Sequence, residues 1–426
     1  MLITRAVLLD GRVAAIRVAS EIIEVAPRLQ PEPGELVLDA KLGAVLPGLH
    51  DHHLHLRATA AAADSVAVGP PAVRTEEQFT RAVAAAAPGP DGWIRATGYH
   101  ESVAGELTRR RLDAMQPAAP LRVQHRSGAM WFLNSAAVAR IGQPDHADGR
   151  VASTDARLAD SVPRREPDLA ALGRRLAGYG VTGVTDATPD LDANDIASLT
   201  TGLAQKIWFL SPGKRILRDD ELDLDELTAW IANRHAAQVP VALHCVTAAQ
   251  LVVALAALRT AGVHHEDRIE HAAMVPDGCV ADLAEAGVTV ITQPNFVAER
   301  GDEYRRDVPA DEHPQLWRVA SLSRAGIPIA GSTDAPFGDL DPWAAMRAAV
   351  TRATATDVVL GPHERIDASA ALHMFLGRHD SPASPRSVAP GQPGDLCVLA
   401  PAPAEALSAL SSDMVVATVL GGEIIG

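Results

Sequence analysis

The sequence predicts an α/β fold: a (β/α)8 TIM-like barrel inserted into a small β-sandwich domain formed by both termini. Three observations carry this. Through the middle of the chain, short β-branched runs alternate with Ala-rich stretches of helical length, the pattern of a parallel sheet covered by helices. Repeated about eight times, that alternation closes into a barrel. No Gly-rich loop follows the first run, which disfavours an open doubly wound sheet. Both ends are strand-rich and helix-poor. Residues 1–46 with 389–426 are therefore expected to form the composite β domain, and 47–388 the barrel.

In chain order, 2-LITRAVLLDGRVAAIRVASEIIEVAP-27 opens with two apolar runs joined by Asp10-Gly11, a hairpin signal. The strand candidates that follow are 44–49, 93–98, 121–125, 181–187, 203–210, 214–218, 239–245, 267–272, 288–294 and 327–334. Helices fit between them. The stretch 75–87 opens with Thr75 and Gln78 at capping-box spacing, and 247–262 does so with Thr247 and Gln250 before stopping at Gly262. Asp341-Pro342 places a cap and a first-turn proline ahead of 343–352. At the C-terminus, 395–401 and 413–426 return to short strand-like runs, the last two separated by Gly421-Gly422.

Bulk composition narrows the function classes. A chain of 426 residues can bury about three quarters of its unfolded surface, so a large core is expected. Lys and Arg number 38 against 53 Asp and Glu, and no basic block interrupts the formal charge of −15, which argues against nucleic acid as a partner. No apolar run is long enough to span a membrane. Cys245, Cys279 and Cys397 are odd in number and far apart, as expected in a reducing compartment, so a cytoplasmic location is expected.

Catalytic groups of a barrel sit at the C-terminal ends of its strands. That rule selects His53 and His55 in 45-VLPGLHDHHLHLRAT-59, then His244, His271 and Asp334 at the ends of three later strands. Imidazole nitrogen and carboxylate oxygen are the donors that zinc takes. Residues two apart on extended backbone point the same way, so His53 and His55 can reach one ion while Leu54 packs behind them. His50 and His52 have the opposite parity and are read, with Asp51, as loop or supporting groups. Lys214 starts the strand preceding that of His244. A lysine facing a dry site has a depressed pKa and can take up carbon dioxide as a carbamate that bridges two metals. Lys206 is its rival, as is an ordinary ion pair to Asp219 or Asp220. Cys245 is read as a small buried neighbour rather than a nucleophile.

This pattern, in 47-PGLHDHHLH-55, 181-VTGVTDA-187, 214-KRIL-217, 241-VALHC-245, 267-DRIEHA-272, 291-ITQP-294 and 330-AGSTDAPFG-338, resembles the amidohydrolase superfamily, and within it the amidohydrolase 3 branch that includes N-substituted formamide deformylases. The resemblance implies that His53, His55 and Asp334 hold the more buried metal, that His244 and His271 hold a second, and that the lysine carbamate bridges them. It also implies that Asp334 takes the proton of the attacking water and passes it to the leaving nitrogen. The chain departs from the pattern in two places. Lys214 stands in Gly-Lys-Arg-Ile, so a shift of one residue would put Arg215 at the expected position. Ala129 in 125-HRSGAMWFLNSAA-137 stands where relatives often carry histidine.

The expected cofactor is therefore Zn2+, as one or two ions, the second with a bridging carbamate. Such an ion lowers the pKa of water from about 15.7 toward about 7 and polarises a carbonyl. The expected reaction is hydrolysis of a C–N amide bond, linear (N-acyl or formamide) or cyclic, in a small-molecule substrate, with Asp334 and His271 as catalytic groups. Candidate substrate contacts are Tyr99, His125, Trp131, Gln293, Asn295 and Arg300, and the Ala-rich 57–69 is a candidate lid or specificity segment. A homodimer is the assembly allowed for. Two other readings stand beside this one. A deaminase of amino-heterocycles would use similar ligands, but no His-x-x-Glu follows His244, where the chain runs Cys245-Val246-Thr247. A non-catalytic barrel would be expected to have lost some of the five strand-end ligands, all of which remain.

Overall fold

The computed structural model describes residues 1–153, 155–162 and 166–426. The chain divides into two compact units, one of Met1–Leu56 with Leu169–Gly426 and the other of Arg57–Asp168.

In the first unit the parallel strands lie in two sheets. One has the order Lys206–Phe209, Val181–Asp186, Leu49–Leu54, and the other Lys214–Ile216, Ala242–Cys245, Arg268–His271, Thr289–Thr292, Ile329–Gly331. Backbone bonds beyond the ladders tie the two together. Asp334 N–H donates to the His53 carbonyl and His55 N–H to the Ala335 carbonyl, so the turn after Ile329–Gly331 lies against the end of Leu49–Leu54. These bonds deliver Asp334 to the two histidines.

The run expected as one strand over 44–49 is broken in two. Val45–Pro47 pairs antiparallel with Leu396–Leu399, whereas Leu49–Leu54 pairs parallel with Val181–Asp186. Gly48 marks the change of partner, because a Cβ there would stand 2.3 Å from the Thr182 side chain. His50, Asp51, His52 and His53 consequently lie inside a buried strand, which removes the loop alternative for His50 and His52.

The termini form two further sheets, ordered Ile22–Ala26, Val13–Val18, Leu2–Val7, Val37–Asp39 and Glu423–Ile424, Val415–Leu420, Leu396–Leu399, Val45–Pro47. The hairpin at Asp10-Gly11 is present, with Gly11 at φ +84°. Ile3, Ile16, Val18, Val45, Leu396, Val398 and Val419 from both sheets share one apolar cluster.

The Arg57–Asp168 unit holds a mixed sheet in the order Arg150–Ala152, Met130–Leu133, Leu121–His125, Ile94–Tyr99, Val66–Ala67. The runs 93–98 and 121–125, counted above among the barrel strands, belong here. They pair with each other in parallel, and an antiparallel partner, Met130–Leu133, then takes the other edge of Leu121–His125. The Ala-rich 57–69 is helical over Leu56–Ala63 and then forms the strand Val66–Ala67. At Thr75 the side chain caps Glu76–Ala84 by accepting from Gln78 N–H, but the Gln78 side chain accepts from Arg74 N–H, one residue outside a full capping box.

The helix Ala248–Ala261, which follows the strand bearing His244, begins with a complete box between Thr247 and Gln250. Both side chains also donate to Asp219 Oδ1, at 2.7 and 2.9 Å. Replacing Thr247 with Ala removes the cap and is expected to lower stability by about 1 kcal/mol in urea unfolding. An unchanged transition would remove Thr247 from this role.

Candidate metal centre

His53, His55 and Asp334 converge. The Nε2 atoms of His53 and His55 lie 3.5 and 3.4 Å from Asp334 Oδ1, and one donor atom from each residue falls within 4.8 Å of the others. His53 Nε2 and Asp334 Oδ1 are buried and, among the described residues, lack a hydrogen-bond partner. A buried carboxylate oxygen left in this way costs free energy, and an ion at the common point would satisfy it together with both imidazoles. Asp334 is at φ +55°, a left-handed conformation held by the backbone bond to His53.

Each participant is fixed from behind. His53 Nδ1 meets the Glu270 carboxylate, which in turn accepts from Arg268 Nε at 2.6 Å and from its terminal nitrogen at 3.1 Å. Arg268 also donates to the His52 carbonyl at 2.7 Å. A carboxylate beside Nδ1 favours the tautomer with the proton there, leaving the Nε2 lone pair toward Asp334. Asp51 accepts from the backbone N–H groups of His53 and Thr333, both at 3.2 Å, and from the Thr333 hydroxyl, tying the two ligand-bearing segments together. Burial nevertheless pushes the Asp51 carboxyl up to about 7.

His271 and His244 continue the cluster. The His271 ring centroid lies 4.8 Å from that of His53 and 4.4 Å from that of His244. His271 Nδ1 is 2.8 Å from Gln293 Oε1, while the Gln293 amide donates to Ser332 Oγ at 2.7 Å. The amide orientation therefore makes His271 Nδ1 the donor and leaves Nε2 as a lone pair. Burial holds His53 and His271 well below the usual imidazole pKa and takes His244 down to about 3. These rings are neutral at pH 7, the form that binds metal.

Lys214 is 5% exposed, and its Nζ has no hydrogen-bond partner among the described residues. Burial lowers its pKa to about 8, against the opposing pull of Glu270 and Asp334. Its rivals are engaged elsewhere. Lys206 Nζ pairs with Asp395 at 2.6 Å, and Arg215 pairs with Glu226 and lies over Trp230. Cys245 is buried, and its thiol is pushed up by desolvation.

Neither His50 nor His52 joins the converging triad, and neither ring nitrogen of His52 has a hydrogen-bond partner among the described residues. Their rings stack at 4.4 Å, and His50 Nε2 lies 2.8 Å from Thr185 Oγ1. The residues read as substrate contacts are placed as follows. Gln293 holds His271, and Asn295 donates to Glu299 at 3.0 Å and to the Thr333 carbonyl at 3.1 Å. Arg300 donates to the Phe337 carbonyl and stands 4.0 Å over the Phe296 ring. In the Arg57–Asp168 unit, Tyr99 and Trp131 are buried in that unit's apolar clusters, Tyr99 donating to the Gly105 carbonyl at 2.5 Å, and His125 Nε2 faces Glu101 at 3.1 Å.

Arg268 and Glu270 are absent from the residues singled out in the sequence. The available signal is Arg-x-Glu in 267-DRIEHA-272, two charged side chains of equal parity in a strand otherwise expected to be apolar on both faces.

Comparison with known proteins shows the family. An Amidohydrolase family model matches residues 36–425. The N-substituted formamide deformylase of Arthrobacter pascens is 24% identical over 455 aligned positions, covering 86% of this chain and 83% of the relative. Two solved structures share the fold. One, an uncharacterized metal-dependent hydrolase from Pyrococcus furiosus, has a TM-score of 0.71 at 18% identity over 94% of this chain and 99% of that one. The other, an uncharacterized metal-dependent hydrolase from Pyrococcus horikoshii, has a TM-score of 0.72 at 17% identity over 94% and 97%. Strand-end ligands and family match over nearly the whole length agree, and the chain belongs to the amidohydrolase family of hydrolases acting on C–N bonds.

Proposed function

We propose that this protein is a zinc-dependent hydrolase that cleaves the C–N bond of an amide in a small molecule, with a closed barrel as its scaffold. The observation that carries the proposal is the convergence of His53 Nε2, His55 Nε2 and Asp334 Oδ1, two of them buried and without a partner among the described residues. Two imidazoles and a carboxylate are a zinc donor set. His244 and His271 would hold a second ion. Lys214, whose pKa near 8 leaves a usable neutral fraction at pH 7, would bridge the two as a carbamate, losing a proton as its nitrogen adds to carbon dioxide.

When bound, the metal supplies Lewis acidity, lowering the pKa of water and polarising the substrate carbonyl. The remaining work falls to side chains. Asp334 accepts the proton of the attacking water and delivers it to the departing nitrogen, which an amide requires because its amine leaves poorly unprotonated. His271, held through its Nδ1–H by Gln293, keeps the Nε2 lone pair free to hold the ion that would polarise the carbonyl, and serves the reaction in that way. A formamide or other N-acyl compound is the substrate class we favour, supported by the similarity to the formamide deformylase.

Activity on a panel of N-acyl compounds and lactams is expected to release amine and carboxylate, and to be lost on chelation and restored by zinc. Release of ammonia from an aromatic ring without a new carboxylate would contradict amide hydrolysis. Asp334→Asn should lower turnover by about a hundredfold to ten-thousandfold; retained turnover would remove Asp334 from proton transfer. Glu270→Gln keeps an acceptor beside His53 without its charge and should weaken zinc binding about 10- to 100-fold in chelator competition. Equal affinity would show that Glu270 is only a packing group.

A further inference from the structure

We propose that the Arg57–Asp168 unit carries a divalent-cation site of its own, formed by His100, Glu101 and His125. Ile94–Tyr99 and Leu121–His125 run in parallel with Tyr99 opposite His125, so His100 and His125 stand at the C-terminal ends of two neighbouring strands. Glu101 Oε2 lies 3.1 Å from His125 Nε2 and 3.9 Å from His100 Nε2, and the three donor atoms fall within 4.8 Å of one another. Ligands bound tetrahedrally to zinc at about 2.0–2.2 Å stand roughly 3.3 Å apart, a spacing these separations bracket.

A second feature concerns the far side of each ring. The sequence repeats His-x-Ser at 100-HES-102 and 125-HRS-127, and each serine holds the Nδ1 of its histidine. Ser102 Oγ is 2.9 Å from His100 Nδ1, and Ser127 Oγ is 2.7 Å from His125 Nδ1. The backbone N–H of the same serines approaches at 3.2 and 3.1 Å. Both rings are thereby turned with Nε2 toward Glu101. Without an ion, Nδ1 accepts from serine and Nε2–H faces the carboxylate. With an ion, the ring proton resides on Nδ1 and the seryl hydroxyl rotates from donor to acceptor, so that the Nε2 lone pair faces the metal. The exchange gives up the long backbone bond at each Nδ1 and the Nε2–H contact with Glu101, which the ion replaces. An ordinary surface ion pair needs one imidazole; here two are oriented in the same way onto one carboxylate.

The test uses the full chain and zinc alone, with metal content measured after equilibrium dialysis at micromolar free zinc. Glu101→Ala and His125→Gln are each expected to bind one ion fewer per chain than wild type, and the difference separates this ion from any held at His53. Ser127→Ala retains all three ligands and should weaken that ion's affinity about tenfold. Equal zinc content in wild type and Glu101→Ala would overturn the site. Because Glu101 has 47% of its side chain exposed, that variant decides the matter even where His125→Gln fails to fold.

Discussion

Burial of charge is the constraint on which this centre depends. Asp51, Glu270 and Asp334 are each at least nine-tenths buried beside a set of neutral imidazoles. Glu270 is matched by Arg268, and Asp51 by three hydrogen bonds, but Asp334 Oδ1 has no hydrogen-bond partner among the described residues. An unsatisfied buried polar atom costs about 1–3 kcal/mol, and more when charged. A fold maintains such an arrangement when a ligand of opposite charge repays it. Binding at a hundred times Kd would add about 2.7 kcal/mol to stability.

The elements around the cluster follow from the need to hold it in register. The backbone bonds from Asp334 N–H to the His53 carbonyl and from His55 N–H to the Ala335 carbonyl join a carboxylate to imidazoles that are far apart in sequence, and Asp51 reinforces the join through Thr333. Glu270 and Gln293 then set the tautomers of His53 and His271. Orientation resides in neighbours that would never touch the ion, so the centre extends well beyond the ligand triad.

Much of this was legible in the chain. Period two along 50-HDHHLH-55 separates His53 and His55 from His50 and His52, and strand-end placement picks out His244, His271 and Asp334. The choice between Lys214 and Arg215 was not legible, because neighbouring residues of a short strand differ only in which face they present; Arg215 turns to Glu226 while Lys214 turns inward. The separate sheet of Arg57–Asp168 was hidden for a related reason. The runs 93–98 and 121–125 have the same local pattern as barrel strands, and local pattern does not name the partner across the ladder. Tyr99 and Trp131 stand among the candidate substrate contacts of the sequence, yet their bulk fills that unit's own apolar clusters.

The most direct test is anomalous diffraction from zinc-soaked crystals, measured above and below the zinc edge. An ion held by His53, His55 and Asp334 gives a difference peak within bonding distance, about 2.0–2.2 Å, of His53 Nε2, His55 Nε2 and an Asp334 carboxylate oxygen. Crystals that contain zinc but show no peak among those three side chains would contradict the account.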